Sequence, residues 1–379
     1  MSYRWRRHRR LLLWVAATVV GALLLGLHWM GSDYANTSLQ TAGAEPVQLI
    51  EADPASPVAA AWESATGPAD AHPVEDFTVV VGERHGVRGI DPETGLERWH
   101  YLRSSALLCD WTAVDGVVVA VFRTDAGCDE ALALDAGTGK RVWYRNVNLS
   151  ADVSMSSTNQ LTVAATDSGV AVFGTTDNGL RWRYRPPEDC SISDTLPGDV
   201  GVAVTLDCTS SARLLLLDGF TGEERWTGTL PAGAAQILTA DGVVGVLALD
   251  LSGSLRIFDR DGVELVSLRE QSIAADTRSE PAAQLIGDQL AVFTGSTLFA
   301  VNVQTDGIEW VVPALHRPTL LGPGLLVYDG TDFVQHDLTT GAELRRISVE
   351  GSPPPIGGRL DRVGAAIVVS SPDGVAVYR

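Results

Sequence analysis

Four cysteines, a few histidines and a recurring aspartate turn are the residues of this chain with chemical potential. Cys109 and Cys128 stand 19 positions apart, Cys190 and Cys208 18 apart. Each pair opens just before a Val/Ala-rich run and closes just after it. The pairs therefore read as two equivalent local disulfides in adjacent repeat units, formed in an oxidising compartment. Each would close a loop of about 20 residues, contributing about 3 kcal/mol. Zinc would want C-x-x-C spacings with histidine nearby, and the sequence has none. Glu83, Arg84 and His85 cluster within Gly82–Gly86, where a hairpin turn accounts for them. His72, His100, His316 and His336 are dispersed. Phosphate-binding loops, H-E-x-x-H, G-x-S-x-G and a twelve-residue calcium loop are all missing. The sequence thus assigns no catalytic, cofactor-binding or metal-binding residue.

The aspartates belong to a repeat. Asp91-Pro-Glu-Thr94-Gly95 leads to Trp99, Asp135-Ala-Gly-Thr138-Gly139 to Trp143, and Asp218-Gly-Phe-Thr221-Gly222 to Trp226. Degenerate copies lead to Trp182 and Trp310. Weaker ones put Val266 and, after Asp337 and Gly341, Arg345 in the same place. Successive positions lie roughly 40 apart, a repeat-architecture period. Asp caps a tight turn by accepting backbone N–H bonds, and Gly supplies the positive φ of the reversal. Trp then lies on an outer strand with a large apolar face to press on the next unit. Short apolar strands precede each turn, giving four strands per unit. The units predict a β-propeller.

The unit A-x-D-x-x-T-G-x-x-x-W resembles the tryptophan-docking repeat of quinoprotein-like (PQQ-like) propellers, over about residues 62–379. The resemblance implies blades joined by tryptophan, usually eight. For the enzymes of that family it also implies pyrroloquinoline quinone and Ca²⁺ near the axis, a catalytic Asp, Asn/Glu ligands and a vicinal disulfide. This chain has no Cys-Cys pair, so neither cofactor is expected and the chain is read as non-enzymatic.

Seven turns give seven outer strands. Two more apolar strands, 365–370 and 374–378, end the chain without a turn, and Ala59-Ala-Ala-Trp62 can supply their outer partner. The expected fold is all-β, an eight-bladed propeller of four-stranded blades over 59–379, with seven blades as the alternative. Before it come a basic cytoplasmic segment (1–10), an apolar run read as a transmembrane helix (11–30) and an extended linker (31–58). Twenty apolar residues span about 30 Å, and the arginines place the N-terminus inside. A cleaved signal peptide ending near Ala42-Gly43-Ala44 is the alternative.

The net charge is −19, with five arginines among the first ten residues, so the remainder is more acidic still. Such a surface repels nucleic acid. The expected function is a single-pass, cell-membrane-anchored, extracytoplasmic scaffold or adaptor for envelope or secreted proteins. The alternative is a quinone-dependent oxidoreductase or a small-ligand sensor using the central funnel.

Overall fold

The computed structural model describes residues 14–25 and 32–379, apart from 65–73, 76, 125–126, 150–151, 232, 234, 249–253, 270–279, 306 and 372–373. Eight sheets succeed one another along the chain, each with its strands in up-and-down order. Blade 2 is typical, with Leu107–Val114 innermost, then Val117–Thr124, Gly127–Asp135 and, outermost, Arg141–Asn146. Blades 1, 3, 4, 5, 6 and 7 run over Val74–Arg103, Ser154–Tyr184, Cys190–Leu230, Ala235–Arg269, Ala282–Pro313 and Thr319–Ile347. Blade 8 takes three strands from Arg359–Tyr378 and its outermost from Val58–Ser64, where Trp62 pairs with Val377. The two ends of the domain thus close one blade and remove the free edges of an open ring.

The second strands are mostly apolar because neighbouring blades cover both of their faces. Ala366–Ser371 is buried at every position, and Val117–Thr124 over its central five. The outer strands show the repeat most plainly. All eight carry a register shift at the docking position, whether it holds Trp, Val266 or Arg345. The degenerate copies are therefore the same structural unit.

Two faces differ. One carries the Asp-Thr-Gly turns and tight hairpins. The other carries the connections from one blade to the next, such as the interval Ile347–Arg359.

The expected linker lies against the propeller. Thr37–Gln40 adds a fifth strand to blade 1 beside Glu97–Arg103. The Ala42 N–H then bonds to Thr138 O at 2.9 Å on blade 2. Arg98, Arg362 and Arg345 donate to the carbonyls of Ala44, Ala52 and Pro54. This strap spans blades 7, 8, 1 and 2.

Two expectations need correction. No helix of the described residues is long and apolar enough to cross a membrane. The helix there covers 14–25, about 18 Å at the α-helical rise against a hydrocarbon core of about 30 Å. The single-pass anchor over 11–30, and the membrane localisation built on it, are therefore not supported. Residues 1–13 and 26–31 lie outside the described residues.

The disulfides Cys109–Cys128 and Cys190–Cys208 form, but they are neither equivalent nor in adjacent blades. Cys190 and Cys208 face each other on the first two strands of blade 4, Cα to Cα 4.0 Å. Cys109 sits at a bulge on the first strand of blade 2 and reaches over the second strand to Cys128 on the third, 6.1 Å apart. The bulge between Leu108 and Asp110 frees Cys109 from pairing and allows that reach.

Candidate functional site

The recurring aspartates are committed to their turns. Asp135 accepts from the Thr138 N–H at 2.8 Å and its hydroxyl at 2.6 Å. Asp91 and Asp337 each accept two backbone N–H bonds and a Thr hydroxyl. The Arg225 guanidinium, 2.7 Å away, and then the Thr221 N–H hold the Asp218 carboxyl down at about 2. Gly95, Gly139, Gly222 and Gly341 have φ near +70°.

Each indole N–H crosses to the turn of the next blade. Trp62 reaches Pro92 O, Trp99 Ala136 O, Trp143 Thr175 O, Trp182 Gly219 O, Trp226 Arg260 O and Trp310 Leu338 O, all within 2.7–3.1 Å. At five of these six contacts the turn glycine lies under the ring; the turn that Trp143 meets carries Asn178, φ +53°, at that position. A Cβ on Gly139 would stand 2.7 Å from the Trp99 ring.

The inner strands hold charged residues that sequence reasoning missed. Asp110 accepts from Trp111 N–H and, across the blade junction, from Met155 N–H at 2.6 Å. Asp194 does the same with Thr195 N–H and Ile237 N–H, the latter at 2.7 Å. Both sit just after a bulge in the innermost strand, and each ties the next blade's inner strand at the axis. Burial pushes the Asp194 carboxyl up despite these bonds. Around blades 7 and 8, Arg359 grips Asp361 through two bonds of 2.7 and 2.9 Å. Arg317 makes no ion pair with any described carboxylate, although its backbone joins blade 8 through Gly358 O and the Leu360 N–H. The residue is exposed, and crowding by protein atoms, then repulsion by Arg359, pulls its guanidinium down. Gln236 and Glu280 bond to each other at 3.0 Å on blade 5 and the connection that follows it. The only signal in the sequence was a charged residue inside an apolar strand.

The histidines do not converge. His85, His316 and His336 each bond a backbone carbonyl, of Ala106, Pro355 and Gly341, and His100 lies between Ser38 and Glu97. Burial draws His316 down to about 4, so it is neutral. His72 lies outside the described residues. Glu83, Arg84 and His85 form the expected hairpin, with Glu83 paired to Arg88.

A groove of about 390 Å³ opens between blades 2 and 3 on the loop-bearing side, lined by residues 148–149, 166, 168–170 and 183–185. A pocket of about 260 Å³ lies where the strap crosses blade 8, between Ile50 and Val363.

The family model described as outer membrane protein assembly factor BamB matches residues 59–193 and 170–319. The chain belongs to this family. No curated protein matches it in sequence. Among solved structures, this BamB-family propeller is similar to BamB from Moraxella catarrhalis at 16% identity and TM-score 0.54, covering 85% of this chain and 99% of that one. It is similar to Sqt1 from Saccharomyces cerevisiae at 12% identity and TM-score 0.57, covering 88% and 99%. It is also similar to the quinohemoprotein alcohol dehydrogenase from Comamonas testosteroni at 13% identity and TM-score 0.53, covering 86% and 78%. One fold thus serves an assembly factor and a dehydrogenase.

The residues present do not fit the quinone–calcium pair of the enzymes. Among the described residues no three His, Cys, Asp or Glu side chains stand together as metal ligands. All four cysteines are in disulfides between distant positions. The axial carboxylates already serve Arg359, Gln236 and backbone amides.

Proposed function

We propose that this propeller is a non-catalytic scaffold that docks another protein on its loop-bearing face. The observation that carries the reading is the asymmetry of the two faces. The turn side is spent on joining blades, whereas the loop side carries the long connections and the polar groove. A rigid ring presenting variable loops is a frame for recognition, and function lives in what the frame presents. The BamB family includes a protein named for assembly, which is consistent with a docking role. In this reading Trp62, Trp99, Trp143, Trp182, Trp226 and Trp310, with the Asp and Gly of their turns, are scaffold and do no chemistry.

The test places a photo-crosslinking amino acid at Asn148 or Ser168 on the loop side and at Leu96 or Phe220 on the turn side of the full chain. Adducts to one protein of defined mass from the loop positions alone support the proposal. Adducts from the turn side alone, or equally from both sides, overturn it.

A second reading is a small anionic ligand at the axis, favoured by Arg317 having no carboxylate within 4 Å among the described residues. Thermal shift with small carboxylates, lost in Arg317→Gln, would support it.

A further inference from the structure

The groove between blades 2 and 3 departs in charge from the rest of the molecule. The chain carries 47 acidic residues against 28 basic ones, yet this lining holds two arginines and no carboxylate. Both arginines come from one stretch, Leu180-Arg-Trp-Arg-Tyr-Arg185, whose strand puts Trp182 into the blade junction and leaves Arg183 exposed. Period-two alternation thus turns a docking strand into a basic edge. Arg183 is held by a 2.6 Å bond to Val147 O, the carbonyl just before Asn148. Arg185 is exposed and bonds to no described residue.

The floor and rim differ in kind. Leu149, 7% exposed in the core between blades 2 and 3, gives the floor its apolar character, whereas the Val170 side chain packs towards blade 4. Asn148 stands at the rim with a positive φ of 49°, fixed by its N–H bond to the Asn146 side chain. Ser168 bonds Thr166 on the facing hairpin. The Tyr184 side chain points with Trp182 towards blade 4, where Glu224 lies near it. Two guanidiniums, a hydroxyl and a carboxamide then surround an apolar floor. At about 390 Å³ the groove is of the size that takes one or two side chains.

We propose that this groove is where the docked protein inserts an acidic side chain next to an aliphatic one, the carboxylate meeting Arg185 and the aliphatic group covering Leu149. The proposal rests on the docking function above and names the chemistry of the partner's segment. The argument for this occupant is charge complementarity. The rest of the surface repels an acidic segment, so this basic edge also selects where the segment lands. Asp167, exposed on the same hairpin between Thr166 and Ser168, and Glu188 and Asp189 on the following loop lie outside the lining.

The experiment uses the full chain and a fluorescein-labelled decapeptide of alternating Leu and Glu, with a Leu/Gln peptide of equal length as reference, read by fluorescence anisotropy. Leu/Glu should bind at least tenfold more tightly than Leu/Gln, as a gain of one charge-assisted contact implies. Arg185→Gln should remove that difference. Arg260→Gln, on the turn side of blade 5, should leave it intact. Equal binding of the two peptides overturns the proposal, as does unchanged selectivity in Arg185→Gln. Competition by free glutamate as effective as the peptide also overturns it, because the site would then serve small acids. Crosslinks from Ser168 to a protein partner that persist while peptide selectivity fails would leave the docking face standing and reject only its acidic chemistry.

Discussion

The junction between blades 1 and 2 and the junction between blades 7 and 8 solve one problem with different chemistry. At the first, Trp99 is wholly buried, its N–H donates to Ala136 O at 2.7 Å, and the ring lies on Gly139. At the second, Arg345 occupies the same bulged position, with its side chain 32% exposed. It donates to Pro54 O at 2.5 Å and faces Asp53 at 3.5 Å, both on the strap. At blade 8, Arg345 meets the strap in the place where the other blades offer a turn after their third strand. An indole needs a positive-φ turn to lie on, glycine everywhere but under Trp143, whereas a guanidinium needs only a carbonyl. The difference teaches that the docking residue is chosen by what the next blade presents. Blades 5 and 6 add a third solution, with buried Val266 among Leu290, Val292 and Phe299.

The largest effect should come from opening the ring. Truncation after Gly364 removes the two strands that hold Val58–Ser64. The single cooperative thermal transition should be lost, and a truncated protein that melts sharply within a few degrees of the intact one would contradict closure through blade 8. Next comes Trp99→Ala, expected to cost about 3–5 kcal/mol in urea unfolding, as for a buried aromatic. Gly139→Ala attacks the same contact from the other side. It places a methyl 2.7 Å from the ring at φ +70° and should cost about 1–3 kcal/mol. A cost below 1 kcal/mol for Trp99→Ala would mean that the indoles do not join the blades.

Much of this frame was legible because the repeat places one aspartate, one glycine and one tryptophan at fixed intervals, each with a local physical cause. Even Arg345 was placed by spacing alone, and the shared bulge puts it in register. The axial staples were not legible. Asp110 and Asp194 stand at matching places, 11 and 12 residues after Trp99 and Trp182, but each acquires its partner amide only when the neighbouring blade packs beside it. The groove was hidden for the same reason, since three separate segments build it. The cysteine spacings, 19 and 18, look alike, but the bulge at Cys109 makes one a first-to-third-strand bridge. Apolar composition over 11–30 suggested a span that the 14–25 helix does not supply.

The turn aspartates give a smaller, pH-dependent effect. Asp218 has its carboxyl held down at about 2 by Arg225 and the turn amides, below its ordinary value of 3.8. A depressed carboxylate contributes stability that is complete above its unfolded pKa and is lost as pH falls through the folded one. Asp218→Asn should therefore cost about 1–2 kcal/mol at pH 7, after allowing for partial solvent screening. The gap to the parent should narrow between about pH 4 and pH 2. Urea titrations at pH 7, 4 and 3 check this, and a gap that widens on acidification would show that the ion pair is not what the turn depends on.

The smallest expected effect sharpens the contrast between the junctions most. Arg345→Ala should cost only about 0.5 kcal/mol, because Asp53 is 81% exposed and such pairs are screened by water and salt. The loss should shrink in 0.5 M NaCl, whereas that of Trp99→Ala should persist, since apolar burial does not depend on counter-ions. Arg345→Trp should recover nothing, because the indole would meet Pro54 on the strap in place of a glycine turn. Thermal melts of the three variants in low and high salt decide the point. If Arg345→Ala costs as much as Trp99→Ala and salt leaves it unchanged, the strap is a packed junction like the others. The seventh blade would then owe its closure to burial, with the ion pair incidental.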